Sequence, residues 1–529
     1  MRTNRSVLLV IPAALLLSSL PYIFGYSLNT PESRFTGLTY NIDDACVYLS
    51  WIRQAADGHF FIRNQFAIES QGNLQFNILF LALGWIARLP HIPLIGVFHL
   101  ARLVFGALLL FAIYRFSGFF LEKQEHRLAV LIVAAFSSGV GWLFGGGTDR
   151  SLPVDMWQPE AITFLSLYLN PLFLCAQILM VASLAYLLRA RETGMARHAL
   201  AAGAFLLLLA NIHTYDVLTV GVVWIAYLIA SSAAEMRLNL KTILLSCLAA
   251  LIAAPALLYQ WRLYNAEEVF RLRVQTETLS PAIWSYLAGY GIVLLLAAAA
   301  LPAIIKRRDR SLLLAVWAVV GFLLPYAPLM QQRKLVMGLH IPLAMLAVYT
   351  LISLSRRARL PLVWAAILLA LIAIPSNILF MWRDAKWLAQ NETATRMHRP
   401  FLDNSEVSAL KWLDRHARDT DTVLAFPDVA CFIPAFTGAR TYVGHWSETP
   451  SFAWKLRVWR AFVESDTSDD SRLNFLRRWR ISYVWWNTTL KELPGPDGSS
   501  TSVFNPDKKP YLQKVFESGG IRVYQAVSR

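Results

Sequence analysis

The chain is poor in charge. Only 16% of its 529 residues are Asp, Glu, Lys or Arg, 56% are hydrophobic, and the mean hydropathy is +0.45. Soluble domains carry charge on about a quarter of their residues. This composition therefore excludes an ordinary soluble enzyme and points to an integral membrane protein. Cysteine is scarce as well. Cys46, Cys175, Cys247 and Cys431 have no paired spacing, which leaves no case for a zinc site or a disulfide framework. Cys175 and Cys247 lie in apolar runs and read as small hydrophobes, while a Cys46–Cys431 disulfide requires both residues to face outward. There is no Gly-rich phosphate loop, internal repeat or low-complexity tract. The net charge of +15 does not signal nucleic acid, because the Lys and Arg residues sit in short clusters between apolar runs, as cytoplasmic loops do.

Long apolar runs are what the chain has in abundance. A span needs about 20 apolar residues, and that criterion predicts about eleven, near 6–27, 94–121, 127–146, 171–189, 196–213, 217–234, 241–260, 286–305, 311–329, 336–354 and 361–382. The first apolar stretch is too long for a signal-peptide core and lacks a small-x-small cleavage site, so it reads as a retained span with Arg2 and Arg5 inside. The basic loops RARETGMAR (189–197), KRRDR (306–310) and SRRAR (355–359) then all fall on the cytoplasmic side. The first loop, residues 145–170 and 261–284, QQRK (331–334) and everything beyond about 383 fall outside. The segment 75–90 is expected to be a half-buried or re-entrant helix. From about 385 the apolar runs shorten and turns such as ELPGPDGSS (492–500) appear. A helix over 405–417 and strands over 422–426, 482–486, 513–517 and 521–526 predict a small α/β domain. The expected fold class is thus a polytopic α-helical membrane module, 1–384, followed by an extracytoplasmic α/β domain, 385–529.

Candidate site residues lie on the outward side. In NIDDACVYLSW (41–51), Asp43 suits an N-cap and Asp44 the first turn of an amphipathic helix lying in the membrane interface and ended by Gly58. Adjacent helical residues do not share a face, but Asp44 and Tyr48 do. Capping beside the membrane and catalysis by a carboxylate both fit the acid pair. The helix dipole favours an ionised Asp44, which suits it to accept a hydrogen bond or hold a cation. The second outward loop brings Asp149, Asp155 and Glu160 with aromatic neighbours. Its length of about 25 residues exceeds the usual connection. NIHTYDV (211–217) places His213, Tyr215 and Asp216 at the outer end of two spans, as polar caps or as functional groups. Arg262, Arg271 and Arg273, with Arg333 and Lys334, put positive charge on the side where it is disfavoured. Headgroup anchoring would explain that, and so would a bound phosphate. The role of Arg440, His445 and Glu448 in the late run 433–450 stays open between domain folding and substrate contact.

The acid pair Asp43–Asp44, Tyr48, the run to Gly58 and the Arg102-bearing span PLIGVFHLARLVFGALLLFAIY (93–114) resemble the GT-C class of multi-span glycosyltransferases. That class includes protein O-mannosyltransferases, oligosaccharyltransferase catalytic subunits and the transferases that decorate lipid A. NLQFNILF (73–80) stands where several of these carry a Pro-Pro-Leu-type segment, and a WWDYG-type motif is absent. The resemblance implies an inverting transferase at the outer face of a bacterial inner membrane. It would move a sugar from a polyprenyl-phosphate donor to a hydroxyl of a glycan, lipid or protein. By the same resemblance Asp44, with Asp43 second, serves the acceptor, assisted by Asp155 or Glu160. Arg333, Lys334, Arg271 and Arg102 serve the donor phosphate, and Tyr48, His213, Tyr215 and Asp216 contact substrate. A divalent metal stays open as cofactor, with His213 its candidate ligand although no metal-ligand spacing is visible. The rival class is a transporter or flippase of lipid-linked glycans.

Overall fold

The computed structural model describes residues 5–89, 92–145, 151–391, 399–494 and 500–527. Arg2, Asp149 and the centre of the 492–500 turn lie outside them. Among the described residues, eight helices are long and apolar enough to cross a membrane: Val7–Ser27, Leu94–Ser117, Gln124–Phe144, Pro171–Thr193, Tyr215–Glu235, Leu240–Ala266, Ile283–Arg307 and Gln332–Arg357. A ninth span arises if the pair Leu362–Ala373 and Pro375–Gln390, bent by 44°, is counted as one. Proline lacks the N–H that would continue the ladder and crowds the turn before it. Nine of the eleven expected runs are accounted for in this way. The other two runs form Ala196–Ile212 and Leu312–Tyr326. At 17 residues the longer of these rises about 25 Å, at the short end of the range for a span.

The uncertain segment near 75–90 is resolved by length. Ile78–Arg88 has 11 residues, so it rises about 16 Å and cannot cross. Asn77 caps it, its side chain accepting from Leu79 N and Phe80 N. The helix packs on Ile42–Ala56 at Gly84, where an added Cβ would lie 2.6 Å from the Ile52 carbonyl oxygen. Ile42–Ala56 is therefore not an exposed interfacial helix, as its amphipathicity suggested. Most of it is buried, because its second face packs on the C-terminal helix Phe432–Thr437. Arg53 stitches that joint, donating to the Phe436 carbonyl (3.3 Å) and pairing with Asp414 (2.5 Å). Cys46 and Cys431, both buried and free, touch across it. Asn41 rather than Asp43 takes the N-cap position, and both acids sit in the first turn. Gly58, at φ +103°, turns the chain away after the helix.

The C-terminal region carries a five-stranded sheet. In spatial order the strands are Arg440–Thr441, Thr422–Leu424, Ile481–Asn487, Ile521–Ala526 and Leu512–Ser518. The first three are parallel and the last two add antiparallel. Val484, Trp485 and Trp486 are consecutive and all buried, as befits a central strand covered on both faces. The helix expected over 405–417 is Asn404–His416, opened by a capping box between Asp403 and Glu406. Ser33–Phe35 pairs antiparallel with Phe401–Asp403. The first loop is thereby hydrogen-bonded to the segment that leads into the C-terminal sheet.

Candidate active site

Where the helical bundle, the first loop and the C-terminal region meet, they enclose a cavity of about 340 Å³. Asp43, Asp44 and Tyr48 enter it from Ile42–Ala56, Glu160 from the loop after Gln124–Phe144, and His213 and Tyr215 from the junction of two helices. Arg273, Arg333 and Lys334 form a cationic side, and Trp446 and Glu448 come from the C-terminal region.

Asp44 is the best-defined carboxylate. Its Oδ2 accepts from Asn41 Nδ2 at 3.3 Å and its Oδ1 from His445 Nε2 at 3.2 Å. Its side chain is 39% exposed, which leaves oxygen facing the cavity. Burial works to raise its pKa. The bond from His445 and the charges of His445, Lys334 and Arg333 outweigh that and hold it below the ordinary carboxylate value. Asp44 is therefore ionised. Tyr48, one turn on, is pushed the other way by burial and by the Asp44 charge, so its hydroxyl stays neutral and acts only through hydrogen bonds. It is held in place by stacking on Phe80, centroids 5.3 Å apart.

His445 itself is 1% exposed. Its Nδ1 accepts the backbone N–H groups of Ser447 and Glu448, each at 3.1 Å. Burial opposes charge on the ring, while the bond to Asp44 and the charges of Asp43, Asp44 and Glu448 raise its pKa above the usual value. Two N–H groups point at Nδ1, so the neutral form of the ring carries its hydrogen on Nε2, the donor to Asp44.

The cationic side is built from three groups in different states. Arg273 Nε lies 2.7 Å from Glu448 Oε1, with its guanidinium over Trp51 at 5.2 Å. Arg333 and Lys334 have no carboxylate within 4.0 Å among the described residues. They lie instead over Trp157 (5.7 Å) and Tyr215 (4.7 Å). Arg333 Nε is buried without a hydrogen-bond partner. Two cations facing a polar cavity, without a carboxylate in ion-pair contact among the described residues, suit an anion.

Four of the residues singled out in the sequence lie elsewhere. Asp155 is fully buried and turned inward, accepting from Gly139 N (3.0 Å) and Gly141 N (3.1 Å). Burial raises its carboxyl to about 6, against the pull of the Ser376 hydroxyl and those backbone donors. Arg271 is exposed and faces Glu268 at 3.8 Å. Residues two apart on a helix point about 200° apart, so Glu268–Val274 can present Arg271 or Arg273 to the cavity but not both. Arg102 is buried within its span, donating to the Leu167 carbonyl and Ser19 Oγ, both at 2.9 Å, over the Tyr22 ring. It joins three segments. Asp216 is buried behind the wall, 3.0 Å from His213 Nδ1. That contact orients the His213 ring, and among the described residues no three His, Cys, Asp or Glu side chains gather as a ligand set.

Arg273, His445 and Glu448 join the site although their roles were open in the sequence. His445 lies about 400 positions from Asp44, beyond the reach of any local spacing.

Comparison with known structures bears on the fold. The chain superposes on the apo enzyme ArnT from Cupriavidus metallidurans with a TM-score of 0.55 at 13% identity, covering 97% of both chains. The fold is that of the GT-C glycosyltransferases. The same ArnT bound to undecaprenyl phosphate aligns at TM-score 0.53 and 14% identity, over 94% of this chain and 97% of that one. The Archaeoglobus fulgidus oligosaccharyltransferase AglB, in complex with an inhibitory peptide and a dolichol-phosphate, aligns at TM-score 0.56 and 12% identity. That match covers 94% of this chain and 74% of the archaeal one. At such identity the likeness is one of architecture. No family model matches the chain, and no curated protein matches it in sequence.

Proposed function

We propose that this GT-C protein is an inverting glycosyltransferase that moves a sugar from a polyprenyl-phosphate donor to an acceptor hydroxyl at the outer face of a bacterial inner membrane. The observation that carries the proposal is a cavity with an ionised, oriented Asp44 on one side and, on the other, Arg333 and Lys334, which have no ion-pair partner among the described residues. Residues 1–384 form the catalytic membrane module in this scheme, and 385–529 the extracytoplasmic domain. The lipid ligands of the two neighbouring enzymes, undecaprenyl phosphate and dolichol-phosphate, support a lipid-linked donor here.

The donor phosphate would sit against Arg333 and Lys334, with Arg273 behind them. The acceptor hydroxyl donates its hydrogen bond to Asp44 and attacks the anomeric carbon. The bond from that carbon to the phosphate oxygen breaks, the lipid phosphate leaves, and the hydroxyl proton passes to Asp44. A carboxylate in this role contributes roughly 10²–10⁴-fold, and fixed cations at the leaving phosphate lower the barrier where charge grows. Glu160 and Asp43 line the same cavity and serve the acceptor's other hydroxyls, beside Tyr48, His213 and Tyr215. The acids lie outside the spans, whereas transporters keep theirs at mid-membrane in broken helices.

The test uses purified protein in nanodiscs with a radiolabelled undecaprenyl-phosphate sugar and extracted envelope acceptors. Wild type is expected to transfer label. Asp44→Asn is expected to bind undecaprenyl phosphate while losing transfer. Movement of intact lipid-linked sugar between leaflets, without transfer and insensitive to Asp44→Asn, would establish a transporter instead.

A further inference from the structure

The C-terminal domain reaches the acid pair through one side chain. His445 does not line the cavity, yet its Nε2 meets Asp44 Oδ1 at 3.2 Å and lies 3.8 Å from Asp43 Oδ2. The turn that carries it is braced from several directions. Thr449 N donates to the His445 carbonyl (3.0 Å), Asn64 Nδ2 to the Glu448 carbonyl (2.8 Å), and Arg273 to the Glu448 carboxylate. Phe66 packs edge-on against the imidazole and Trp446 lies nearly parallel to it. With two backbone N–H groups aimed at Nδ1 and a carboxylate at Nε2, one tautomer satisfies every contact.

Asp44 needs such a restraint. Lys334 and Arg333 lie close enough for their charge to act on it, and the torsion that swings a carboxylate is soft. All three line one cavity, and an Asp44 turned toward those cations would occupy the base and the phosphate site together. A donor on Oδ1 and Asn41 on Oδ2 pin the group instead, and each oxygen keeps a lone pair for the cavity.

We propose that His445 is a positioning residue: its Nε2–H holds the Asp44 carboxylate away from Lys334 and Arg333, so that the C-terminal domain is a working part of the site. The assignment rests on the transfer reaction proposed above. The charged groups facing the imidazole are Asp43, Asp44 and Glu448, and those facing Asp44 are His445, Lys334 and Arg333.

Two measurements on the full-length protein test it. In ¹⁵N-histidine spectra, with the resonance assigned by loss in His445→Gln, His445 is expected to show hydrogen on Nε2 and a bare Nδ1. Asp44→Asn should lower its pKa. In the transfer assay His445→Ala should lower kcat about 10²-fold, the scale of a misplaced reacting group. His445→Gln, whose amide N–H reaches about as far, should recover most of that loss. A ring protonated on Nδ1, an imidazole pKa indifferent to Asp44→Asn, or an active His445→Ala would overturn this role and leave the transferase proposal standing. Poor folding of His445→Ala is judged against the Gln variant, which keeps the donor; if Gln folds but stays as slow as Ala, positioning through Nε2–H is wrong. A wild type that transfers no sugar, with the spectra as expected, overturns both proposals.

Discussion

Removing Arg273 should loosen the C-terminal domain from the bundle, and the size of the effect follows from its contact with Glu448. The two charges lie 2.7 Å apart, with the Glu448 side chain 5% exposed and Arg273 30%. At an effective dielectric near 20 their attraction is about 6 kcal/mol before desolvation is counted. Cavity water on the arginine side screens part of this, and desolvation offsets much of the rest. Arg273→Met strands a nearly buried carboxylate. Breaking a fully buried pair costs about 3–5 kcal/mol, so about 2–4 kcal/mol is expected here. Glu448→Gln removes the stranded charge, and in that background Arg273→Met should cost about 1 kcal/mol or less, mainly lost packing on Trp51. The assay is thermal unfolding in detergent of wild type, both single variants and the double variant, followed by protease cleavage within residues 399–527. An Arg273→Met penalty of the same size with and without Glu448 would show that the ion pair does not carry the joint.

Further predictions concern Asp155, Gly84 and the cations. Folded Asp155 keeps its proton to about pH 6, while its ordinary value is 3.8. Between those values the native state binds more protons, so wild-type stability falls as pH rises, by up to about 3 kcal/mol, and is level above pH 6. Asp155→Asn should gain on wild type across that window, and parallel melting-temperature profiles from pH 4 to 8 would contradict it. Gly84→Ala places a methyl 2.3 Å from the Ala55 Cβ and 2.6 Å from the Ile52 carbonyl. It should cost about 1–3 kcal/mol by overpacking and shift the helix that carries Asp44, lowering both melting temperature and transfer. Lys334→Met should weaken undecaprenyl phosphate binding about 10-fold or more through a lost charged contact. Arg271→Ala, which removes an outward-facing side chain, should leave the affinity unchanged within about twofold. Equal losses in the two variants would place the phosphate elsewhere.

Much of the architecture was legible because it is written in local chemistry. Apolar length marks a span, basic loops mark one side, and alternation marks strands, so helix 404–416 and four of the five sheet strands came out near their places. The errors share a cause. Apolarity alone does not say where a proline bends a helix, so residues 361–382 read as one run where the chain forms two helices at 44°. Amphipathicity does not say what covers the apolar face, so Ile42–Ala56 read as lipid-facing when it lies under the C-terminal domain. Within the site, Asp44, Tyr48, Arg333 and Lys334 stood out by position, whereas the choice of Arg273 over Arg271 depended on how one short helix is rotated.

What the residues determine by themselves is the medium and the inventory: a chain this apolar must enter a bilayer, and the loops between its apolar runs bring paired acids and clustered cations. Only the tertiary structure decides which of them meet. Charge interactions act over a few ångströms, and folding alone brings His445 and Glu448 to Asp44 and Arg273 while turning Arg102, Asp155 and Arg271 to other duties.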